Sequence, residues 1–482
     1  MKLYTRAQNY YGMTTMSRNN TTTHKGGKAA NYRNRRFEVQ KFTQRRFVSF
    51  LISPPVVGKA AGEGPAGGTK QGPEWRLVEE KTGAAKTLMD PYEDSPDLAE
   101  ALRAVDLYSG LKTTVRRHYN GQGVTNAWLK MYEMTTEMGL VIAARAPDAS
   151  KPKHTHVLRA FCNAELPGAF ICALNHYLCT WHPETRLEWV ASSLYPDPDN
   201  TAGRGDFASD SAGAGEILGD YYGLYTHNPD RWLMTPEMRG DVTDVGDIRA
   251  LVEGAKTCLG EVDLYTSDAG IGVAEDYLRQ EALTARIHLG QTLVGLMSLR
   301  VGGVLVVKTY TFTHPSSISL IAVCASVFDH FYVTKPVTSR PANSEVYCIG
   351  LGFRGLSSEL EACLLDAVEQ FDFRRTLTPL DTPETEDTVA SLLAAARQIH
   401  QHQQVAFLEE AVAFYEAYRG RIPSLRQALQ PAARRAQYAW LDQNPIRAIA
   451  RACLITDNGN AKKGAGAESD AVYRSVSDNG PS

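Results

Sequence analysis

Apolar positions along the chain fall into three regimes. Residues 1–46 show no steady period, and "GKAAGEGPAGGTKQGP" (58–73) is a glycine-rich linker, so residues 1–74 read as a disordered arm joined to a folded body. Between residues 75 and 355 the pattern becomes globular. "DLAEALRAVDLY" and "NAWLKMYEMTTEMGLVIAA" space their apolar residues three and four apart, the period of a helix. Six short apolar runs follow: "HVLRAFCN" (156–163), "RLEWVASSL" (186–194), "EVDLYTSDAG" (261–270), "VGGVLVVKTY" (301–310), "FDHFYVTKP" (328–336) and "SEVYCIGLGF" (344–353). "YLRQEALTARIHLGQTLVGLMSLR" and "SSISLIAVCASVF", lying between them, carry helical spacing. Wholly apolar strands alternating with crossover helices predict an α/β fold, its mainly parallel sheet covered on both faces. Only "VTSRPAN" separates the last two runs, too little for a crossover, so they are expected to form an antiparallel hairpin at the sheet edge. Residues 356–455, including "VASLLAAARQIHQHQQVAFLEEAVAFYEAY", form a helical extension, and the small polar residues 456–482 read as a disordered tail. The chain has no internal repeat.

Charge changes this picture at one end. The formal net charge is −3, yet residues 1–50 hold eleven Lys or Arg against a single acid, Glu38. A basic arm of this kind serves solubility or assembly, or it helps to hold RNA phosphates. The eight cysteines are scattered, without a CxxC pair, and most sit in apolar segments. That pattern suggests neither a disulfide framework nor a zinc site and fits a reducing, intracellular compartment. No apolar stretch follows the early basic residues as in a signal peptide, and none reaches the ~20 residues of a membrane helix.

Candidate chemistry gathers at strand ends. "FCNAELPGAF" (161–170) passes from a strand through a Pro-Gly turn into the apolar "ICALNHYL", which brings backbone close to a ligand or simply turns the chain. "SDAG" sets Asp268 at the C-terminal end of a parallel strand, the edge where open α/β sheets bind ligands; an N-cap is the plainer role. Lys308 closes one of the most apolar runs, and Glu345 opens the next strand but one. If that strand is antiparallel, the topology brings Asp268, Lys308 and Glu345 to one edge.

"NAWLKMYEM", "AELPGAF", "DLYTSDAG", "GGVLVVKTY" and "KPVTSRPANSEVYCIGLGF" together resemble the FtsJ-like family of RNA ribose 2′-O-methyltransferases over roughly residues 105–355. "WVASSLYP", "GDYYGLYTHNPDRWL" and "RGDVTD" resemble its viral branch, whose members methylate mRNA caps. The resemblance implies a Rossmann-like methyltransferase fold and S-adenosylmethionine as methyl donor. It implies a Lys-Asp-Lys-Glu tetrad at Lys130, Asp268, Lys308 and Glu345, the last three separated by 40 and 37 residues. Lys151 and Lys153 lack the helical context of Lys130. Cofactor contacts are implied at Asn163, Glu165, Pro167, Gly168, Asp241 and Asp268. The family's second glycine is replaced by Ala169, which fits if its φ stays negative. The acid usual after the second strand is not evident, although Asp197 and Asp199 stand nearby. Ser339 and Arg340 precede Glu345 in an expected substrate loop, as RNA contacts or as turn residues.

On that reading burial and the neighbouring Lys130 ammonium lower the pKa of Lys308, making it a general base or the group that steers the hydroxyl's lone pair. Asp268 and Glu345 orient the lysines. No metal is required. The resemblance implies capped mRNA as the substrate, and its viral branch implies host cytoplasm or virion, with a capping or polymerase complex as partner through the N-terminal arm or the C-terminal helices. A nucleotide-dependent oxidoreductase is disfavoured because no GxGxxG follows the first strand. A degenerate methyltransferase fold kept as an RNA-binding scaffold is the alternative the tetrad argues against. "RRAQYAWLDQNPIRAIAR", basic and amphipathic, either contacts RNA or a partner, or packs as a helical cap.

Overall fold

The computed structural model describes residues 47–55, 71–92, 94–144, 156–195, 219–235, 238–271 and 274–456. Most of the basic arm, most of the linker, the tail from 457, and Lys151, Lys153, Asp197 and Asp199 lie outside the described residues.

Seven strands form one sheet: β1 (Val48–Ile52), β2 (His156–Asn163), β3 (Thr185–Ala191), β4 (Val262–Ser267), β5 (Leu299–Thr309), β6 (Phe328–Lys335) and β7 (Val346–Phe353). Their spatial order is β1-β6-β7-β5-β4-β2-β3. The block from β3 to β5 is parallel, β7 enters antiparallel to β5, and β6 and β1 follow, each antiparallel to its neighbour. Each apolar run of the sequence is therefore a strand. The hairpin β6–β7 exists, but its expected place at the edge is corrected. β7 lies inside the sheet, and β1, from a segment assigned to the arm, covers the free edge of β6 in register from Val48↔Lys335 to Ile52↔Phe331. Five residues suffice, because β6 would otherwise present unpaired backbone groups along its length.

Side-chain alternation assigns the faces. Phe161, Tyr265, Leu305 and Val307 join one core with Ile248 and Leu251 of the helix Val245–Leu259, Leu293 and Val294 of Gln280–Ser298, and Ile318 and Ile321 of Pro315–Ser326. Val304 and Val306 alternate with them and are fully buried on the opposite face. Burying one such side chain is worth roughly 1.5–3 kcal/mol, so β5 is held firmly up to its last residues.

The helical extension comprises Ser358–Glu369, Glu386–Ala396, a π-helical turn Arg397–Gln404, Val405–Tyr418 and Ile422–Gln443. The apolar stripe of the last helix, Leu425, Leu429, Ala432, Ala436 and Trp440, is buried, so its amphipathic pattern is packing, while Arg434, Arg435 and Tyr438 face outward. Beyond it, residues 444–456 run across the Asn126–Met138 and Ala169–Trp181 helices. Tyr132 Oη donates to Pro445 O at 2.9 Å, His176 Nε2 meets Arg447 O at 2.9 Å, and Asn175 Nδ2 donates to Cys453 O at 2.7 Å. All eight cysteines are free. Among the described residues no helix is long and apolar enough to cross a membrane.

Candidate active site

Strand register aligns the candidate residues. Asn163 pairs with Ser267, Ser267 with Val307, and Lys308 with Tyr347. The C-terminal ends of β2, β4 and β5 therefore meet the start of β7 on one line. Lys308 follows Val304 and Val306 on their face, opposite Tyr347, and the helix Asn126–Met138 brings Lys130 over the Tyr347 ring. Asp268 follows β4 directly and Glu345 precedes β7, so the four residues of the expected tetrad converge.

They form two ion pairs. Lys130 Nζ donates to both carboxylate oxygens of Glu345, at 2.9 and 3.0 Å, with each side chain only 8% exposed. Lys308 Nζ donates to Asp268 O at 2.7 Å and lies 3.2 Å from its Oδ1. Tyr347 joins the pairs: its Oη donates to Asp268 Oδ1 at 2.8 Å, and its ring lies 5.3 Å beneath Lys130 Nζ. Ser339 Oγ adds a 2.8 Å hydrogen bond to Glu345. Buried charges persist when they are paired and hydrogen-bonded, and these are both.

The electrostatics correct one expectation. Burial does act to lower the Lys308 pKa, but Asp268, Tyr310 and Glu345 outweigh it, and the net shift is upward. Lys308 is an ammonium at neutral pH, not a lysine tuned to accept a proton. Burial would raise the Glu345 carboxyl, yet Lys130, Lys308 and Lys335 hold it far below the usual range. Gly270 borders the pair; a side chain there would come within 2.7 Å of Tyr310 Oη and 3.2 Å of Lys308 Nζ.

The Pro-Gly loop stands beside this cluster. Gly168 has φ 103°, a left-handed backbone, and a Cβ there would run into Leu224. Ala169 begins the helix Ala169–Trp181 and is absent from the left-handed positions, so the alanine fits. Glu165 caps that helix: its Oε1 accepts from Phe170 N at 2.8 Å and Ile171 N at 3.0 Å. Burial pushes its carboxyl up to about 8, against those two bonds. Asn163 Oδ1 accepts from Ser267 Oγ at 3.1 Å, while its buried Nδ2 has no protein partner. That orphaned donor beside a glycine cradle is what an absent polar ligand would satisfy, so the residues present fit a nucleoside-type cofactor.

Asp241 lies on the same wall. Leu166 N donates to Ser193 Oγ at 2.9 Å, and Gly240 packs so close to Ser193 O that a Cβ would sit 2.7 Å away. Asp241 Oδ1 itself accepts from Thr243 N and Oγ1, at 2.8 and 2.7 Å, the turn role expected of an aspartate after glycine. Ser339, expected at the substrate, is 1% exposed and gives its hydroxyl to Glu345; it positions the pair from behind. Arg340 alone of the two is exposed.

Sequence reading passed over Tyr347 and Glu133. Glu133, one turn after Lys130, is fully buried and accepts from Val337 N (2.8 Å), Thr338 N (3.2 Å), Thr338 Oγ1 (2.7 Å) and Trp440 Nε1 (3.2 Å). The spacing of Glu133 from Lys130 was the available signal: both lie on one helix face turned toward the loop before Glu345. Among the described residues no cluster of histidine, cysteine and carboxylates is arranged to hold a metal.

Comparison with known proteins adds an independent line. The family model for FtsJ-like methyltransferases matches residues 124–353. A probable methyltransferase of African swine fever virus is 36% identical over 375 residues, covering 75% of this chain and 81% of that protein. A cap-specific mRNA (nucleoside-2′-O-)-methyltransferase 2 of Drosophila melanogaster is 30% identical over 233 residues, covering 48% of this chain and 30% of that protein. A putative ribosomal RNA methyltransferase of Plasmodium falciparum, solved as a crystal structure, aligns with 48% of this chain and 99% of its own at 14% identity and a TM-score of 0.29.

Proposed function

Since the chain belongs to the FtsJ-like methyltransferase family, we propose that it transfers a methyl group from S-adenosylmethionine to a ribose 2′-hydroxyl of RNA, at a cap-proximal nucleotide of mRNA. The observation that carries this reading is the pair of buried ion pairs, Lys130–Glu345 and Lys308–Asp268, bridged by Tyr347 at the C-terminal edge of the sheet. The cap assignment is supported by the activity for which the fly relative is named and by the likeness to the viral one.

Bound cofactor supplies a methyl group already activated on a sulfonium. Asn163, Gly168 and Asp241 would hold it, with Glu165 fixing the loop from beneath. Lys308, pinned by the backbone and side-chain oxygens of Asp268, keeps an N–H for the ribose hydroxyl and aims that oxygen's lone pair. Lys130 and Glu345 set the distance between their helix and the start of β7. As the oxygen–methyl bond forms and the bond from the methyl to its sulfonium is given up, the hydroxyl proton passes to solvent water, so no strongly basic lysine is needed beforehand.

The test is methyl transfer from labelled S-adenosylmethionine to a short capped RNA, comparing the wild type with Lys308→Ala. Expected is label on the unmethylated cap, none on the same RNA bearing a 2′-O-methyl at its first nucleotide, and loss in the variant. Label on the premethylated control, or none on any RNA, overturns the assignment.

A further inference from the structure

β5 outruns one of its two neighbours just where the chemistry lies. Its last pairing with β4 is Val307↔Ser267, while β7 runs on beside it to Thr309↔Val346. Lys308 and Thr309 therefore have a strand on one side only, and polar groups buried there need other partners. Two side chains of the helix Gln280–Ser298 hold these residues instead. Gln291, fully buried, donates from Nε2 to Lys308 O at 2.5 Å. His288, one turn earlier on the same helix face, is 5% exposed, and its Nδ1 lies 3.2 Å from Thr309 Oγ1. The His288 ring also packs 5.5 Å from the ring of Tyr310, and Lys308 Nζ lies 5.8 Å from the centre of that tyrosine ring.

The helix is itself placed for this grip. Tyr265 Oη, from β4, donates to Gln291 O at 2.8 Å. Gly295, one turn beyond Gln291, lets the helix approach the sheet; a Cβ there would come within 2.5 Å of both Leu305 Cδ1 and Tyr265 Cδ1. Burial and the Lys308 charge push the His288 imidazole down to about 3, so it stands neutral beside the ammonium and does not compete with it for Asp268.

We propose that Gln291 and His288 are positioning residues that hold Lys308, Thr309 and Tyr310 as one rigid segment, and so fix the reach of the Lys308 ammonium toward the ribose hydroxyl. This rests on the reading above. Asp268 holds Nζ at one end of the Lys308 side chain, and Gln291 holds the backbone at the other. With both ends fixed, the alignment that in-line methyl transfer demands is built before RNA arrives.

The experiment separates positioning from stability. Full-length wild type is compared with Gln291→Met, which keeps the length of the side chain and removes its donor. His288→Leu removes the contact to Thr309, and His288→Asn keeps a hydrogen-bonding group for it. Leu251→Ala, on the helix Val245–Leu259, is the control for lost stability alone. For each protein the readouts are kcat on capped RNA, KM for cofactor and for RNA, Tm, and deuterium uptake over Lys308–Tyr310. Gln291→Met is expected to lower kcat about tenfold or more, with both KM values within about twofold of wild type. His288→Leu should lower kcat several-fold, and His288→Asn should recover most of it. Deuterium uptake over Lys308–Tyr310 should rise in Gln291→Met but not in Leu251→Ala, although Leu251→Ala lowers Tm at least as much. An unchanged kcat in Gln291→Met, or an equal loss in Leu251→Ala, overturns the proposal. A wild type that transfers no methyl to any RNA overturns the methyltransferase reading, and uptake alone then judges the grip on Lys308: a rise in Gln291→Met upholds it, and no change overturns it.

Discussion

Replacing Glu345 with glutamine tests whether the Lys130–Glu345 pair is a single buried unit. Both side chains are 8% exposed, and the ammonium donates to both carboxylate oxygens. Removing one charge from such a pair leaves the other desolvated and unpaired, which costs roughly 3–5 kcal/mol. The amide keeps one acceptor oxygen for Lys130, so the lower end, about 3 kcal/mol, is expected. Lys130→Met alone should cost a similar amount for the mirror reason. Combining the two removes both charges, and the pair should then be less costly than the sum by about 2–3 kcal/mol. Urea midpoints at pH 7 measure all four corners of the cycle. Stability and activity should part company, because the double variant regains stability without regaining methyl transfer. Additive single effects, or a Glu345→Gln cost below about 1 kcal/mol, would refute the buried-unit argument. The same carboxylate sets an acid limb. Its folded pKa lies below the ordinary 4.5, so its stabilisation is present above that value and disappears as the pH falls through the folded one. Wild type should lose stability on acidification below about pH 4.5 that Glu345→Gln has already lost.

Three further outcomes follow from the site. Because Lys308 is held as an ammonium, the rate of methyl transfer should not climb between pH 7 and 9 with a lysine-like pKa; an ascending limb that Lys308→Arg abolishes would contradict the shift drawn from Asp268 and Glu345. Glu165 is raised by burial to about 8, so the wild type loses stability as pH rises from 4.5 through 8, and Glu165→Gln, which keeps an acceptor for Phe170 N and Ile171 N, should gain Tm relative to wild type at pH 8.5 but not at pH 5. Glu133→Gln puts an amide among four donors and should lower kcat well over tenfold with little change in cofactor KM, whereas Trp440→Phe, losing one of those bonds, should lower it only a few-fold; equal effects, or an effect on cofactor KM alone, would show that Glu133 does not position the tetrad.

What the sequence disclosed and what it hid divide along physical lines. β2, β4 and β5 were legible because both faces of each strand are buried, which leaves a run of apolar residues with no competing period. Lys308 was conspicuous for the same reason, as a charge where such a run should have none. Asp268 and Glu345 could be joined to it once β7 was taken as antiparallel, since strand direction decides which end of a strand meets which edge. β1 was hidden: it is five residues long, half exposed, and sits beside basic residues that read as an arm. The ionisation state of Lys308 was hidden too, because the sequence shows which charges are present but not their order of approach. Lys130 was expected to press on Lys308, but Glu345 takes Lys130 with both oxygens, and Asp268 is left to Lys308. Glu133 escaped notice for a related reason. A buried carboxylate with four donors, one of them Trp440 more than three hundred residues away, looks in the sequence like any polar residue on an amphipathic helix. The helical extension, separable by pattern, is joined to the helix that carries Lys130 by Glu133, which accepts from Trp440, and by Tyr132, which donates to Pro445 O. Its removal should therefore impair the chemistry and not merely the stability of the chain.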